Sequence, residues 1–484
     1  MVYGIGGMAN RLISLLLLPI FTAYLTPTDY GLVGMLAMSG MVLTPVFSLG
    51  FGTSIGVCYF NTQSLEERKA IIWNSFLCLA PSAALMLCSG WLFSRAISSL
   101  LLNNGEYSRL VILSLATTAV NVIIQPFQLK LQFEQKARAF VIFSFVSLLV
   151  TTVVSVYEVV WLKKGVTGLL EAQLIGQLFS LIIFSAGTFK SKLPRFTGQI
   201  VKELLRHGIP MVPSFFFIFI IQNGVRYFLE VYYGLHEVGI FTVGTNLGMF
   251  MGMLTGAFIS SWTPYALAFS DKQDEARVLF GRITYYYMLV FGFLTALFFF
   301  FAKSVVILFV NVSFYESYKI IGFSAAGQYY CSLFLMLLPP VYFAKDVSST
   351  SKIQGLIAAI SVIVALVVLP FSGVIGAGLI VCLSYALLVV FQWVWNSLVN
   401  KRVYFQISYD VVRIVWVQCV LYLFVFASFL QSGFVLWKSL AIGGGLTLTL
   451  AVALCFCLNK KECNSLLQYI RSLLGEKKSV AKAI

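Results

Sequence analysis

A few charged side chains interrupt otherwise apolar stretches of this sequence, and they are the first candidates for chemistry. Arg11 lies about nine residues inside the first apolar stretch, roughly 13 Å along a helix. Arg226 lies nearer the end of a later apolar stretch, with Glu230 four residues beyond it. Glu171 lies near the start of another apolar stretch. Because burying a charge in a membrane is costly, such residues are functional candidates, and an arginine suits an anionic ligand. For Arg226 the alternatives are snorkelling to the headgroups or a structural ion pair with Glu230.

Amide and hydroxyl side chains recur at helical spacing in several of the same stretches. The candidates for lining a polar cavity are Glu171, Gln173, Gln177 and Ser180; Thr118, Asn121, Gln125 and Gln128; Ser214, Gln222, Asn223 and Asn246; and Gln328, Tyr329 and Tyr330. Side chains of this kind can hydrogen-bond one helix to the next, or they can line a wet cavity that binds sugars. The sequence pattern is compatible with both interpretations.

The residues that common enzyme chemistries need are missing or too few. His207 and His236 are the only histidines, so we expect no histidine metal site. The sequence contains no Walker A loop and no dinucleotide-binding motif. The connections between apolar stretches are too short to carry the catalytic groups of a membrane glycosyltransferase or polymerase. We therefore predict that the chain is not an enzyme and holds no metal or cofactor.

The elements that must position these residues are long apolar helices. The chain has 484 residues, of which 60% are hydrophobic and 11% charged, and its mean hydropathy is +0.92. A soluble protein carries about 25% charged residues, so we predict an all-α polytopic membrane protein. Fourteen apolar stretches are long enough to span a bilayer, at 2–24, 33–59, 71–93, 108–129, 139–161, 166–189, 209–231, 238–265, 283–302, 319–343, 353–370, 374–398, 411–430 and 437–458.

The basic residues predict the orientation of these spans. Of the 33 Lys and Arg residues, 24 fall in the connections on one side, together with the C-terminal tail, and 7 fall on the other side. Since cytoplasmic loops carry the excess of Lys and Arg, we predict that both termini are cytoplasmic. The net charge of +15 is then explained by membrane topology, and no nucleic-acid partner is expected.

Three matches at one offset indicate an internal repeat of 208 residues. Asp29-Tyr-Gly31 matches Glu237-Val-Gly239, and Gly165-Val-Thr-Gly168 matches Gly373-Val-Ile-Gly376. Small residues also recur every fourth position in the second and eighth spans, at Gly40, Thr44, Ser48, Gly52 and Gly56, and at Gly244, Gly248, Gly252, Gly256 and Ser260. These stripes suit ordinary helix packing, or they form a moving interface where two lobes pack together.

Six spans per repeat is an even number, so the two repeats enter the membrane in the same direction. We predict an N-terminal lobe at 1–189, a cytoplasmic linker at 190–208, a C-terminal lobe at 209–408, two added spans at 409–459 and a basic cytoplasmic tail at 460–484. The linker contains Ile200, Val201, Leu204 and Leu205 at the spacing of an interfacial helix with Lys202 and Arg206 outward. Residues 463–474 suit either a helix on the inner leaflet or a solvated tail.

Several segments resemble a known family. The opening NRLISLLLLPIFTAYLTPTDYGLVGM, the stretch VRYFLEVYYGLHEVGIFTVGTNLG, the Trp262–Pro264 element and Val374-Ile-Gly-Ala-Gly378 resemble O-antigen and polysaccharide flippases. These belong to the multidrug/oligosaccharidyl-lipid/polysaccharide exporter superfamily, whose members have two six-helix lobes. Two positions depart from the family pattern, since Val225 replaces an aspartate before Arg226 and no asparagine occurs among residues 362–368.

The resemblance implies a function for the chain. It implies a flippase that carries an undecaprenyl-diphosphate-linked oligosaccharide from the cytoplasmic to the periplasmic leaflet of a bacterial inner membrane by alternating access. Arg11 then meets the diphosphate, and Arg226 matches the arginine of the seventh span. A coupling ion, H⁺ or Na⁺, and partners such as membrane lipid, a polysaccharide polymerase and a chain-length regulator are also implied. The alternative is a multidrug or small-molecule cation antiporter of the same superfamily.

Overall fold

The computed structural model describes residue 13 and residues 15–189, 195–269, 272–344, 346–399, 406–429 and 435–456. Arg11, residues 190–194 of the linker and the tail at 460–484 lie outside this part of the chain. We call residues 15–189 the N-half. Its helices are α1 (Leu15–Tyr24), α2 (Pro27–Phe47), α3 (Phe51–Asn61), α4 (Leu65–Leu102), α5 (Ser108–Phe133), α6 (Ala137–Val156) and α7 (Gly165–Phe189).

The linker helix and the second part of the chain are also helical. The linker contains α8 (Gly198–Gly208), and we call residues 212–399 the C-half. The remaining helices are α9 (Val212–Tyr233), α10 (Leu235–Gly248), α11 (Phe250–Leu267), α12 (Gln273–Phe300), α13 (Ala302–Phe309), α14 (Tyr318–Met336), α15 (Pro339–Phe343), α16 (Val347–Val394), α17 (Val411–Ser428) and α18 (Leu436–Phe456). The described residues contain no β-strand, so the all-α prediction is confirmed.

Local sequence signals start several of these helices. At α2, the Thr26 hydroxyl accepts a hydrogen bond from the Asp29 amide at 3.2 Å, and the Asp29 carboxylate accepts one from the Thr26 amide at 2.9 Å. Pro27 fits the first helical position, where its missing N–H costs nothing. Ser64 and Asp346 cap α4 and α16 in a similar way. Such caps satisfy amides that have no partner inside the helix.

The described residues contain fewer candidate spans than the fourteen predicted for the whole chain. In the described residues, eleven helices are long and apolar enough to cross a membrane, or twelve if α10 and α11, which are bent by 41°, form one span. α16 has 48 residues and a non-helical Gly373 with φ +55°. A helix of that length measures about 72 Å, more than twice the hydrocarbon thickness of about 30 Å. The count of fourteen stays a prediction.

The two halves share a hydrophobic core at one face of the bundle. We call this face the far face, and the opposite one, which carries α8, the linker face. The shared core joins Tyr30 and Met35 of α2 to Ile240 and Phe241 of α10. Tyr30 also meets Phe314 edge to face, with ring centroids 5.2 Å apart. The two halves are therefore closed against each other at the far face.

At the linker face each half packs around a core of its own. The N-half core contains Phe51 and Phe127 and reaches Leu204 of α8. The C-half core contains Trp262 and Tyr329. α3 packs on α4, α5 and α8, while α11 packs on α12, α14 and α15. The interface between the halves is thus formed at the far face, and the linker-face segments pack separately.

The glycine stripes do not lie at the interface between the halves in this structure, which corrects the lobe-packing prediction. The test is where a Cβ added at each glycine would fall. In the N-half the added Cβ would contact α5: Thr118 from Gly40, Gln125 from Gly52 and Phe133 from Gly56. In the C-half it would contact α14: Ile320 from Gly244, Ser324 from Gly248 and Gln328 from Gly252. At Gly256 the added Cβ would contact no other atom within 4 Å. The stripes therefore allow close packing within each half, because they lie on the side of α2, α3, α10 and α11 that faces the neighbouring helix of the same half.

The glycines that do lie between the halves are Gly31, Gly34 and Gly239. A Cβ at Gly31 would lie 1.9 Å from the Leu235 carbonyl oxygen, and a Cβ at Gly239 would lie 1.8 Å from the Pro27 carbonyl oxygen. Backbones approach this closely only where no side chain intervenes. Gly31 and Gly239 are the last residues of the repeated Asp29-Tyr-Gly31 and Glu237-Val-Gly239 segments. Equivalent glycines of the two repeats therefore form the crossing of α2 and α10.

Candidate functional site

Arg226 is buried in the C-half. Its residue is 5% exposed, although it lies only two turns from the end of α9. The guanidinium donates a hydrogen bond from Nη2 to the Thr245 hydroxyl at 3.2 Å and lies 5.7 Å from the centroid of the Phe241 ring. Both partners belong to α10. The side chain therefore points into the protein and does not snorkel to the headgroups.

The predicted ion pair between Arg226 and Glu230 is absent from the described residues. Glu230 accepts a hydrogen bond from Asn103 of the N-half instead. The Nε–H of Arg226 is buried and has no hydrogen-bond partner. Arginine carries five N–H donors, and here at least one of them is unused. This is an arrangement that an incoming anion would complete.

Arg226 lines a small cavity of about 30 Å³ between α9, α10, α14 and α16. Its polar lining comprises Gln222, Arg226, Thr245, Ser324, Gln328 and Tyr385, and its apolar lining comprises Phe241, Met249, Ile320, Gly327, Gly378 and Val381. No carboxylate is among these residues. The cavity therefore places one cation beside amide and hydroxyl groups, which can hydrogen-bond an anionic or sugar group. Its volume is that of about two water molecules, so the helices must separate before such a ligand can enter.

The sequence identified three of the polar residues in this cavity and missed three. Gln222, Arg226 and Gln328 were candidates because each is polar in an apolar stretch. Ser324 lies one turn before Gln328, so the same spacing could have found it. Thr245 and Tyr385 carry no such signal, because serine, threonine and tyrosine are common in membrane helices.

The N-half candidates do not converge on a comparable site in the described residues. Asn121 is exposed on α5. Gln125 packs on Gly52, and its buried Oε1 has no hydrogen-bond partner. Gln173 and Gln177 are half-buried on α7. Asn223 of the C-half is buried but lies outside the lining of the cavity.

Glu171 belongs to a cluster of charges at the far face. Its carboxylate pairs with Arg109 at 3.0 Å and with Lys164 at 2.8 Å, and Lys164 also lies 3.4 Å from Glu158. The hydrogen bond to Glu171 raises the pKa of Lys164, which lies in the turn between α6 and α7. The cluster links the ends of α5, α6 and α7, so the geometry favours a structural role for Glu171 over binding.

Comparison with known proteins shows the family of this chain. The protein family described as "Polysaccharide biosynthesis protein" matches residues 1–271, more than half of the chain. The chain belongs to this family. The resemblance noted in the sequence is thereby confirmed. A comparison with curated proteins gives no match for this member of the polysaccharide biosynthesis family.

Solved structures show which fold this polysaccharide biosynthesis family member has. It is similar to a lipid II flippase, MurJ, in an inward closed conformation, with a TM-score of 0.69 and 13% identity, covering 93% of this chain and 97% of that one. It is also similar to a multidrug resistance MATE family transporter in an inward-facing conformation, with a TM-score of 0.66 and 15% identity over 83% and 96%. A third match is a MOP superfamily transporter from Pyrococcus furiosus, with a TM-score of 0.59 and 16% identity over 86% and 95%. The chain has the fold of MOP superfamily transporters.

Proposed function

We propose that this protein is a flippase that moves an undecaprenyl-diphosphate-linked oligosaccharide, a repeat unit of O-antigen, capsule or exopolysaccharide, from the cytoplasmic to the periplasmic leaflet. The observation that carries the proposal is the buried Arg226 guanidinium, which forms no ion pair with any described residue and lines a polar cavity without a carboxylate. The family description and the transporter fold support it.

The chemistry of the ligand explains why such a cavity is needed. A diphosphate cannot cross a hydrocarbon layer alone, because moving a charge out of water is very costly. A guanidinium offers it charge-assisted hydrogen bonds, and the amides of Gln222 and Gln328 and the hydroxyl of Ser324 can replace water around sugars. The polyprenyl tail has no such need and stays in lipid.

The arrangement of the halves supplies the pathway. The halves are joined at the far face and pack separately at the linker face. With the orientation that the basic residues predict, the linker face is cytoplasmic, and this conformation is the one that loads ligand from the cytoplasm. Movement of the two halves would then close the linker face and open the far face. A coupling ion, H⁺ or Na⁺, and contacts with a polymerase and a chain-length regulator stay predictions.

The alternative, a multidrug or cation antiporter, fits the cavity less well. A site for a cationic drug needs an acidic group, and the cavity is lined by a cation and neutral groups. The neighbouring carboxylates, Glu171 and Glu230, are engaged at the far face.

Gene deletion in the native bacterium tests the proposal. We expect surface polysaccharide to be lost while the lipid-linked precursor persists on the cytoplasmic side, and we expect the wild-type gene to restore export. The precursor is measured by extraction and by its accessibility to an impermeant glycosidase from either face. Normal polysaccharide together with hypersensitivity to cationic drugs would instead establish the antiporter.

A further inference from the structure

Glu230 lies where the two halves meet. It is 4% exposed, near the far-face end of α9. Its Oε2 accepts a hydrogen bond from Nδ2 of Asn103 at 2.9 Å, across the boundary between C-half and N-half. Asn103 ends α4 in a left-handed conformation with φ +47° and is itself exposed. The carboxyl is therefore buried just beneath the far-face solvent, under a residue of the other half.

The surroundings of Glu230 contain no cation that pairs with it among the described residues. Arg226, one turn away on α9, is directed to Thr245 and Phe241. The other charged groups on the adjoining elements lie elsewhere. On α10, His236 and Glu237 are 3.5 Å apart, and on α2 Asp29 caps its own helix. The remaining ones are exposed or distant: Arg95 on α4 and Glu106 in the following turn are exposed, Glu66, Glu67, Arg68 and Lys69 lie at the opposite end of α4, and Lys352 lies near the start of α16. An ionised carboxylate in this position would be a buried charge with a single neutral hydrogen-bond donor.

We propose that Glu230 is a protonation-dependent latch of the far face. When the halves close there, the carboxylate takes up a proton from far-face solvent and is buried as the neutral acid, whose carbonyl oxygen accepts the hydrogen bond from Asn103. When the halves separate, the carboxyl is hydrated and the proton returns to the same solvent. The inference rests on the proposed alternation of the halves, and it makes acid on the far side favour the closed conformation.

The physical reason is the difference in environment between the two conformations. Closing over an ionised carboxylate would remove it from water without a compensating cation, which is strongly unfavourable. Closing over the neutral acid costs only the burial of a hydrogen-bonded polar group. Other contacts at this interface, such as the hydrogen bond from the Asn311 amide to the Thr22 hydroxyl at 3.3 Å, carry no charge. Among the described charged groups near this interface, Glu230 is the carboxyl that closure buries without a charged partner.

Distance measurements between spin labels test the latch without any ligand. The full chain, with its nine cysteines replaced, carries labels at Glu106→Cys and Val312→Cys, which are exposed at the far face of the N-half and C-half. In lipid nanodiscs at equal pH on both sides, we expect the long-distance population to grow between pH 5.5 and 8.5. One coupled proton changes an equilibrium by up to about tenfold per pH unit. We therefore expect the ratio of the long-distance to the short-distance population to rise at least about tenfold over this range.

Two variants identify the responsible group. Glu230→Gln keeps an acceptor for Asn103 but cannot ionise, so its distances should stay short and independent of pH. His236→Gln removes the histidine at the start of α10, and the response of this variant to pH should persist. Two outcomes would overturn the latch. One is that the label distances in the native protein do not change with pH. The other is that the pH response is lost in His236→Gln and kept in Glu230→Gln. Because no ligand is present, these outcomes are separate from the polysaccharide phenotype that tests the flippase.

Discussion

The sequence around Arg226 is compatible with several roles for its side chain, and the neighbouring helices distinguish between them. Its sequence context allowed snorkelling, an ion pair with Glu230 or a place in a cavity. The structure places it in a cavity, because Thr245 and Phe241 of α10 hold the guanidinium inward. Glu230, on the same face of α9, accepts a hydrogen bond from Asn103 instead.

Replacing Arg226 tests its role as an anion site. Arg226→Ala should lower export of the lipid-linked glycan by about 10- to 100-fold, because a hydrogen bond to a charged group contributes about 1.5–3 kcal/mol. Membrane levels should stay normal, since Thr245 keeps its hydrogen bond to the Thr242 carbonyl. The measurement is surface polysaccharide per unit of protein in a deletion strain. Arg109→Ala, which removes an exposed arginine, is the matched control; equal losses in both variants would contradict the assignment.

Arg11 lies outside the described residues, and its role stays a prediction. Arg11→Ala should abolish export at normal membrane levels, because we expect no nearby cation to replace it at the diphosphate. Truncation after Lys461 should lower membrane levels but retain export, because no candidate ligand contact lies in the tail. The two variants are compared by immunoblot and by surface polysaccharide. If export were normal in Arg11→Ala and lost in the truncated protein, the tail and not Arg11 would be the part that export requires.

At the scale of the helix, glycines have two different uses in this fold. Those of the stripes bring α2 and α3 against α5, and α10 and α11 against α14, inside each half. Gly31 and Gly239 bring α2 and α10 together across the two halves. The first use holds each half rigid, and the second is part of the contact that must break if the halves alternate.

A methyl group at the crossing should open the far face. In Gly239→Ala the Cβ would lie 1.8 Å from the Pro27 carbonyl oxygen, so the two backbones must separate. We expect a larger long-distance population between the Glu106 and Val312 labels, and reduced export. Gly256→Ala is the control, because a Cβ there meets open space. Closed distances in Gly239→Ala, indistinguishable from those of the control, would show that this crossing does not hold the halves together.

At the scale of the whole molecule, orientation decides which compartment each face meets. The linker face carries α8, which packs on α3 and α4 with Leu204 buried and Lys202 and Arg206 exposed. The helix and its exposed Lys202 and Arg206 agree with the sequence pattern of the linker, and its position at a membrane interface stays a prediction. Asn74 holds the start of the linker by accepting a hydrogen bond from the Thr197 amide at 2.7 Å. The distribution of basic residues predicts that this face is cytoplasmic.

Labelling of single cysteines tests the orientation. On a background without native cysteines, Lys163→Cys in the turn between α6 and α7 should react with an impermeant maleimide added to intact cells after outer-membrane permeabilisation. Lys202→Cys on α8 should react only after the inner membrane is opened. Both side chains are exposed, so accessibility reports the compartment. The reverse pattern would invert the assignment of both faces and place the latch in the cytoplasm.

The sequence by itself determined the helical, membrane-embedded class, the family, and the polarity of Gln222, Arg226 and Gln328, because hydropathy, charge and motif order are properties of short segments. Only the tertiary structure decided which side chains meet. Asn103 and Glu230 are 127 residues apart, and Arg109 and Glu171 are 62 apart. Helical periodicity shows that residues share a face, but it does not show which helix that face will contact. That choice depends on how all the helices pack at once. For this reason the sequence left two interfaces open for the glycine stripes, and the structure places them within each half.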